Sequence, residues 1–326
     1  WLIAGLALFG LPGCGGDDAI DYTPAVPTAL PTRTPPSTQP NGDATPEPTE
    51  IKVAFVNIMS PLSLDSTNTQ ASDTYDARLD LLIQQLKELK PDIIGLSEVT
   101  DTTAHGSAKD KLAKELKMEA YYVWANPWIP GQTREQNDRL AEQIGFKEGE
   151  LLLSRFPILE SKQTWLNPRT SELEGRAGLW VRLKGPTSVG DIDVYLTHLT
   201  GGGEKVRTSQ SASLLSFVTA TRGKGPALIM GDLSDDPAAT TYKEFTDAGF
   251  KDIASGSTGF TCCRDAVAGY QPPATVRTDH VFVAGWPQAT LTTWGDKPKK
   301  QKDGTLLYSS DHNGLFALFP LVNASP

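Results

Sequence analysis

The residues best suited to chemistry lie at the ends of short apolar runs. In Ala227-Leu-Ile-Met-Gly-Asp-Leu-Ser-Asp-Asp-Pro237, four apolar residues read as a buried strand that stops at Gly231, and Asp232 follows at once. A carboxylate at the mouth of a buried strand is costly unless a cation or a reacting group needs it. Taken alone, a strand followed by an Asp-rich turn explains the stretch. Three further runs end in groups of the same kind: Asp92-Ile-Ile-Gly-Leu-Ser-Glu98, Val194-Tyr-Leu-Thr-His198 and Ser309-Ser-Asp311-His312-Asn313. Asp279 opens another, Asp279-His-Val-Phe-Val283. Brought to one rim, these ends would make a metal-assisted hydrolytic site.

The chain has four histidines, and all but His105 fall in these runs. A lone His is more often structural than catalytic, so each is weighed separately. His312 follows Asp311 in a turn-rich segment, where a metal ligand and a base would be neighbours. His198 ends a strand beside Gly201-Gly-Gly203. His280 lies one residue into its strand and faces away from Asp279, and is read as structural.

The elements that must carry these groups alternate along the chain. Strands are expected at residues 51–57, 93–96, 121–124, 151–153, 179–183, 192–197, 227–230 and 281–283, and near 290–293 and 314–319. Helices are expected from Arg78 to the residues before Pro91, over 109–118, over 204–221 and around 240–248. Residues 125–146 read as loop-rich, with no element assigned. Strands outnumber helices and the helices sit between them, which favours a layered α/β sandwich over a doubly wound parallel sheet. No internal repeat is found.

The 326 residues carry a formal charge of −9, unevenly spread. Six acids face one base, Arg33, before Ile51, and 33 acids face 29 bases after it. The cluster Lys297, Lys299, Lys300 and Lys302 reads as a solvated loop. Such a balance lowers the expectation of an extended nucleic-acid footprint, while a bound metal supplies the local positive charge a small phosphoester site needs.

The amino-terminal part is of another kind. Residues 2–9 form an apolar run too short to span a bilayer, which takes roughly 20 residues, but suited to the core of an export signal. Leu11-Pro-Gly-Cys14 resembles the lipobox of bacterial lipoproteins, with Pro12 in place of the usual small residue. It predicts removal of residues 1–13 and lipid on Cys14; a plain cleaved signal or a buried helix are the other readings. The sequence opens at Trp1 without a Met or a basic leader, so its true start is expected upstream. The Pro- and Thr-rich stretch up to Glu50 is too poor in apolar residues to fold. It reads as an extended stalk (residues 14–50) below a domain of residues 51–326.

Cys262 and Cys263 remain. Adjacent Cα atoms lie about 3.8 Å apart across a trans peptide, below the usual disulfide range of roughly 4.4–6.8 Å, so a bond between them would be strained. Two thiols are the plain alternative; an exported location favours the bond.

From Ile51 to about Val322 the chain resembles the endonuclease/exonuclease/phosphatase superfamily, with the fold of deoxyribonuclease I. Five motifs in order carry the resemblance: Val56-Asn57, Pro91-Asp-Ile-Ile-Gly-Leu-Ser-Glu98, Thr197-His-Leu199, Met230-Gly-Asp-Leu-Ser-Asp235 and Ser310-Asp-His312. Leu152-Leu-Ser-Arg-Phe-Pro157 and the run from Asp279 add to it. The resemblance implies a four-layered α/β sandwich, two packed mixed sheets flanked by helices. It implies Glu98 as the main metal ligand, with Asn57 and Asp311 beside it. Oxygen ligands of this kind suit Mg²⁺ or Mn²⁺. Asp232 would position or deprotonate the attacking water. His312 would act beside the phosphate, oriented by Asp279, and His198 would contact the phosphate or the leaving group. Arg176 is a further phosphate contact, and Glu150 a support for His198. One position departs from the family: Ser234 stands where Asn normally donates to a phosphate oxygen. A shorter arm there predicts slow turnover or a shifted substrate.

The resulting expectation is a monomeric, surface-tethered, Mg²⁺- or Mn²⁺-dependent hydrolase of phosphate esters. Its substrate would be a nucleic acid, a lipid head group or a small organic phosphate, selected by loops 59–75, 125–149 and 255–277. Ser234 leaves one alternative of a different class, a catalytically weak surface protein that binds ligands. A polysaccharide-binding stalk protein has only the linker in its favour.

Overall fold

A computed structural model describes residues 48–62, 70–129, 131–168, 175–254, 259–286 and 289–321. The expected signal segment, Cys14 and the stalk up to residue 47 lie outside the described residues. The chain divides into two units, residues 1–45 and 46–326, and every described residue belongs to the second. Among the described residues no helix is long and apolar enough to cross a membrane.

The strands, in chain order, are β1 (Glu50–Asn57), β2 (Ile93–Thr102), β3 (Gly106–Ser107), β4 (Glu119–Asn126), β5 (Phe146–Ser154), β6 (Ile158–Leu166), β7 (Arg176–Lys184) and β8 (Asp191–His198). They continue as β9 (Ala227–Asp232), β10 (Lys251–Asp252), β11 (Asp279–Ala284), β12 (Thr290–Trp294), β13 (Lys299–Lys300), β14 (Leu306–Leu307) and β15 (Gly314–Pro320). The helices are α1 (Gln70–Asp73), α2 (Tyr75–Leu89), α3 (Ala108–Leu116), α4 (Arg134–Ile144), α5 (Glu204–Thr221) and α6 (Thr240–Asp247).

Among the described residues two large sheets form, in the orders β12-β15-β1-β2-β5-β4 and β10-β11-β9-β8-β7-β6. Each is mixed, with one parallel pair at its centre: β1 beside β2, joined through α2, and β8 beside β9, joined through α5. Side chains alternate between strand faces, and the alternation assigns the layers. Val53 and Phe55 of β1 pack in one cluster with Leu196 and Met230 of the second sheet, whereas Ala54 and Val56 pack with Leu79, Leu82 and Leu86 of α2. In the second sheet Ile229 and Phe282 turn outward to Leu214 of α5 and Phe245 of α6. The order is therefore helices, sheet, sheet, helices: the expected four-layered sandwich, its central core between the sheets.

Three expectations are corrected. Residues 125–146 are not all loop, because α4 forms there; Thr133 caps it, with Gln136 returning the bond to the Thr133 amide. The edge strand β6 has no sequence signature because residues 159–163 face solvent and lack an apolar alternation. Finally, β9 does not stop at Gly231. A Cβ at Gly231 would run into the Thr197 carbonyl, so glycine lets β8 and β9 stay paired to the level of Asp232.

Candidate active site

The same alternation that builds the core delivers the site. Leu228 and Met230 face the gap between the sheets, so Asp232 does too. By the same count Val194 and Leu196 place His198 there, and Val281 and Val283 place Asp279. Register then brings the three together, since Asp232 lies opposite Asp279 on one side and His198 on the other. Asn57 ends β1 on the facing sheet, on the same side as Val53 and Phe55.

Glu98 reaches this rim by a different device. Strict alternation would turn it with Ile94 and Leu96 toward the helices. A register shift between Leu96 and Val99, with Glu98 at φ 59°, re-aims it into the gap, as bulges do. There Glu98 Oε1 accepts from Asn57 Nδ2 at 2.9 Å and Oε2 from the Ser60 amide at 2.7 Å. Asn57 Nδ2 also donates to Asp232 Oδ2 at 3.1 Å, while its Oδ1 accepts from the Met59 amide. As placed, Asn57 orients the two carboxylates and its own oxygen is engaged elsewhere.

Behind them, Ser310 Oγ donates to the Asn57 carbonyl at 2.6 Å and accepts from the His312 amide at 3.1 Å, fastening the Asp311–His312 turn to the end of β1. His312 Nδ1 donates to Asp279 Oδ2 at 2.7 Å, and both residues are buried. Its Nε2 lies 3.8 Å from Asp232 Oδ2. Burial opposes charging His312, but the Asp279 carboxylate and its hydrogen bond, helped by Asp311 and Asp232, outweigh it and hold the imidazole well above its ordinary pKa.

His198 is the opposite case. Burial first, then the charges of Arg176 and His312, push it well below the usual histidine value. Its Nδ1 sits 3.3 Å from Arg176 Nη1. Arginine has only donors, so Nδ1 accepts and the proton is on Nε2, 3.7 Å from Asp232 Oδ2. Glu150 is buried with its Oε2 unpartnered, and burial drives its carboxyl well up. Among the described residues no hydrogen bond joins it to His198; Arg176 occupies that place instead.

Crowded carboxylates mark the floor. Asp232 is pushed up to about 6 by burial and by Asp279, against the pull of His312. Glu148, which no sequence motif singles out, is pushed up to about 7 by burial and by Glu98, with Asn126 Nδ2 donating to it at 3.1 Å. Acid groups that raise one another in this way suit a divalent cation, and their all-oxygen donor set fits a hard ion. Asp232, Asp279 and His312 also lie close enough together to share an ion.

Arg78 is a second residue outside the sequence motifs. It sits on the apolar face of α2, fully buried, and donates to the carbonyls of Ile58 at 2.8 Å, Met59 at 3.0 Å, Ala71 at 2.9 Å and Ser309 at 3.4 Å. It thereby ties the turn after Asn57 to the segment before Asp311. The signal was present as a lone cation one helical turn before Leu82 in an otherwise apolar stripe.

Ser234 lies at φ 50°, its amide donating to Asp232 Oδ1 at 2.8 Å and its hydroxyl to the Leu199 carbonyl at 3.0 Å. Its side chain thus braces the β8 end. His280 is structural, as expected, between Asp252 Oδ2 and the Asp235 carbonyl. Cys262 and Cys263 are bonded to each other, and Cys263 Sγ lies 3.4 Å from His312 Nε2. A separate groove is lined by Phe260, Tyr270, Leu291, Tyr308 and Asn313, the last of which follows His312 in sequence.

Comparison with known proteins gives the site a context. In fold the chain is similar to a mannosyl-6-phosphatase of Bacteroides thetaiotaomicron, at 19% identity and a TM-score of 0.59 over 82% of this chain and 99% of that one. It is similar to the human nocturnin catalytic domain with bound sulfate, at 19% identity and 0.57 over 84% and 94%. TDP2 of C. elegans follows at 18% and 0.53 over 83% and 75%. No curated protein matches the chain in sequence. The sequence profile of the Endonuclease/Exonuclease/phosphatase family matches residues 66–312, and the chain belongs to that family, whose members hydrolyse phosphate esters.

Proposed function

We propose that the chain is a divalent-metal-dependent hydrolase of phosphate esters. The observation that carries this reading is the buried Asp279–His312 pair beside Asp232, which Asn57 bridges to Glu98. Glu98 and Asp311 would hold Mg²⁺ or Mn²⁺, with Asn57 and Ser60 orienting Glu98. When bound, the cation offsets negative charge on the phosphate oxygens and favours ionised carboxylates around it.

The remaining work falls to the chain's own groups. Asp232 Oδ2, ionised, orients a water and accepts its proton as the oxygen attacks phosphorus. His312, kept charged by Asp279, donates from Nε2 to a phosphate oxygen as charge develops there. His198, neutral with its proton on Nε2, donates to the same phosphate or to the departing oxygen. The Arg176 guanidinium holds that tautomer.

The substrate's organic part would reach the groove lined by Asn313, Phe260 and Tyr270, of which Phe260 and Tyr270 are exposed. Surface tethering through Cys14 belongs to this reading and is supported by the sequence motif alone. The test is a panel on the full chain: an aryl phosphodiester, plasmid DNA, sphingomyelin and a sugar 6-phosphate, beside Asp232→Asn. Turnover of at least one ester that Asp232→Asn abolishes supports the proposal. Equal turnover in the variant, or a folded protein silent on all four, counts against it and favours a ligand-binding role.

A further inference from the structure

The Cys262–Cys263 pair takes no part in the hydrolysis just described, yet it is fixed against the hydrolytic histidine. The Asn313 amide donates to the Thr261 carbonyl at 2.8 Å, and the Arg264 amide to the Asp311 carbonyl at 2.9 Å. These bonds bracket the two cysteines and hold their backbone alongside residues 311–313. On the other side the Thr261 and Cys262 amides both donate to the Val276 carbonyl, at 2.8 and 3.0 Å. Thr261 Oγ1 accepts from the Asp279 amide at 3.2 Å. The backbone that carries the two cysteines is therefore held by bonds other than the one between the sulfurs. Cys263 is exposed, so that bond is open to solvent reagents.

The two sulfurs and a His312 ring nitrogen lie within 4.8 Å of one another. His312 also has the partner that a metal-binding imidazole requires, a carboxylate on the other ring nitrogen, since Asp279 holds Nδ1 and leaves Nε2 facing Cys263. Such a partner fixes the ring and raises its basicity as a ligand. Asp232 lies near His312 Nε2 but belongs to a separate cluster with Asp279, so the candidate site has three protein donors. Two sulfurs and one nitrogen suit a thiophilic ion and not Mg²⁺.

We propose that reduction of the Cys262–Cys263 bond opens a second metal site, in which both cysteine sulfurs and His312 Nε2 bind a thiophilic divalent cation such as Zn²⁺ or Cd²⁺. The inference goes beyond the hydrolytic reading and does not require it. A dithiol supplies the two electrons: it becomes a cyclic disulfide, the Cys262–Cys263 bond breaks, and each sulfur takes one of the dithiol's protons. Cation binding then releases both thiol protons and the His312 Nε2 proton to solvent, while Nδ1 keeps its proton against Asp279. In the oxidised chain the sulfurs are committed to each other and the site is closed. In the reduced, loaded chain His312 Nε2 is occupied and withdrawn from phosphate.

The test is a Cd²⁺ titration of the full chain, read by thiolate-to-cadmium charge-transfer absorbance, which carboxylate ligands do not produce. The reduced chain, freed of dithiol under anaerobic conditions, is expected to show the band and saturate at about one Cd²⁺ per chain. The oxidised chain and the Cys262→Ser/Cys263→Ser variant are expected to lack it, and the oxidised chain needs no substitution to serve as a control. His312→Gln is expected to keep the band with weakened binding. The proposal is overturned if the reduced chain, folded by circular dichroism, shows no band. It is equally overturned if the double variant shows the same band, which would assign it to Cys14, or if His312→Gln binds as tightly as the parent.

Discussion

His312 Nδ1 donates to Asp279 Oδ2 at 2.7 Å, from a turn fastened to the first sheet to a residue that opens a strand of the second. The bond spans the two sheets at the site's rim. It sets the His312 tautomer and sustains its charge, so Asp279 is a positioning residue whose loss acts through His312.

Asp279→Asn keeps the shape but offers an amide that favours the wrong tautomer. A fall in kcat of about 10²–10⁴-fold is expected, with KM little changed. Steady-state kinetics on the preferred ester read it, and the pH profile should shift to lower pH as His312 loses the carboxylate. A KM effect without a kcat effect would contradict the assignment.

Ser234 is in the left-handed region, which Asn tolerates better than most residues, and its hydroxyl is engaged with Leu199 rather than turned into the site. Ser234→Asn should therefore fold normally and restore a donor to the phosphate. An increase in kcat on the order of tenfold to a hundredfold is expected. Unchanged turnover on every active substrate would show that the departure from the family pattern has no catalytic consequence.

Glu148 gives a pH signature of the crowded carboxylates. Its pKa is raised from 4.5 to about 7, so the folded state keeps a proton that the unfolded state has already lost. The stability this contributes is complete below pH 4.5 and is lost as pH rises through 7. Glu148→Gln removes the titration. In chelator, its stability relative to the parent should rise by about 1–2 kcal/mol between about pH 4.5 and 7.5, a figure discounted for partial exposure. Urea melts at both pH values read the difference, and Mg²⁺ should shrink it.

Arg78 is expected to link stability to the site. Arg78→Met removes donors to four buried or partly buried carbonyls and should cost about 3–5 kcal/mol. Because two of those carbonyls follow Asn57 and one precedes Asp311, Mg²⁺ affinity should fall in parallel. A destabilised variant with parental Mg²⁺ affinity would separate the two roles.

Much of this was legible in the residues. The strand ends that carry Asn57, His198, Asp232 and Asp279 follow from apolar runs with a period of two, which fix both the strands and the face each polar residue takes. The scarcity of histidine singled out His198 and His312. What escaped has physical causes. Glu98 itself was named by its motif, but not its route: it reaches the site only through a bulge, and alternation alone sends it the other way. Glu148 acts through Asn126, 22 positions away, and Arg78 through carbonyls 7 to 231 positions away, relations that only the folded chain displays. The helix α4 carries a Thr133–Gln136 capping pair, but its buried residues are only Asn137 and Ala141, so no apolar period marks it. Contact between Cys263 and His312 depends on backbone bonds between segments 49 residues apart and had no sequence signal.

At the core of the mechanism, a cation held by Glu98 works with the Asp279–His312 pair on a phosphate ester. Turnover of an aryl phosphodiester by the full chain in Mg²⁺, in Mn²⁺ and in chelator, beside Glu98→Ala, probes that cooperation without intermediaries. Turnover is expected in either cation, with loss in chelator, recovery when the cation returns, and a loss of about a hundredfold or more in Glu98→Ala. Turnover that survives both chelator and Glu98→Ala would contradict the mechanism.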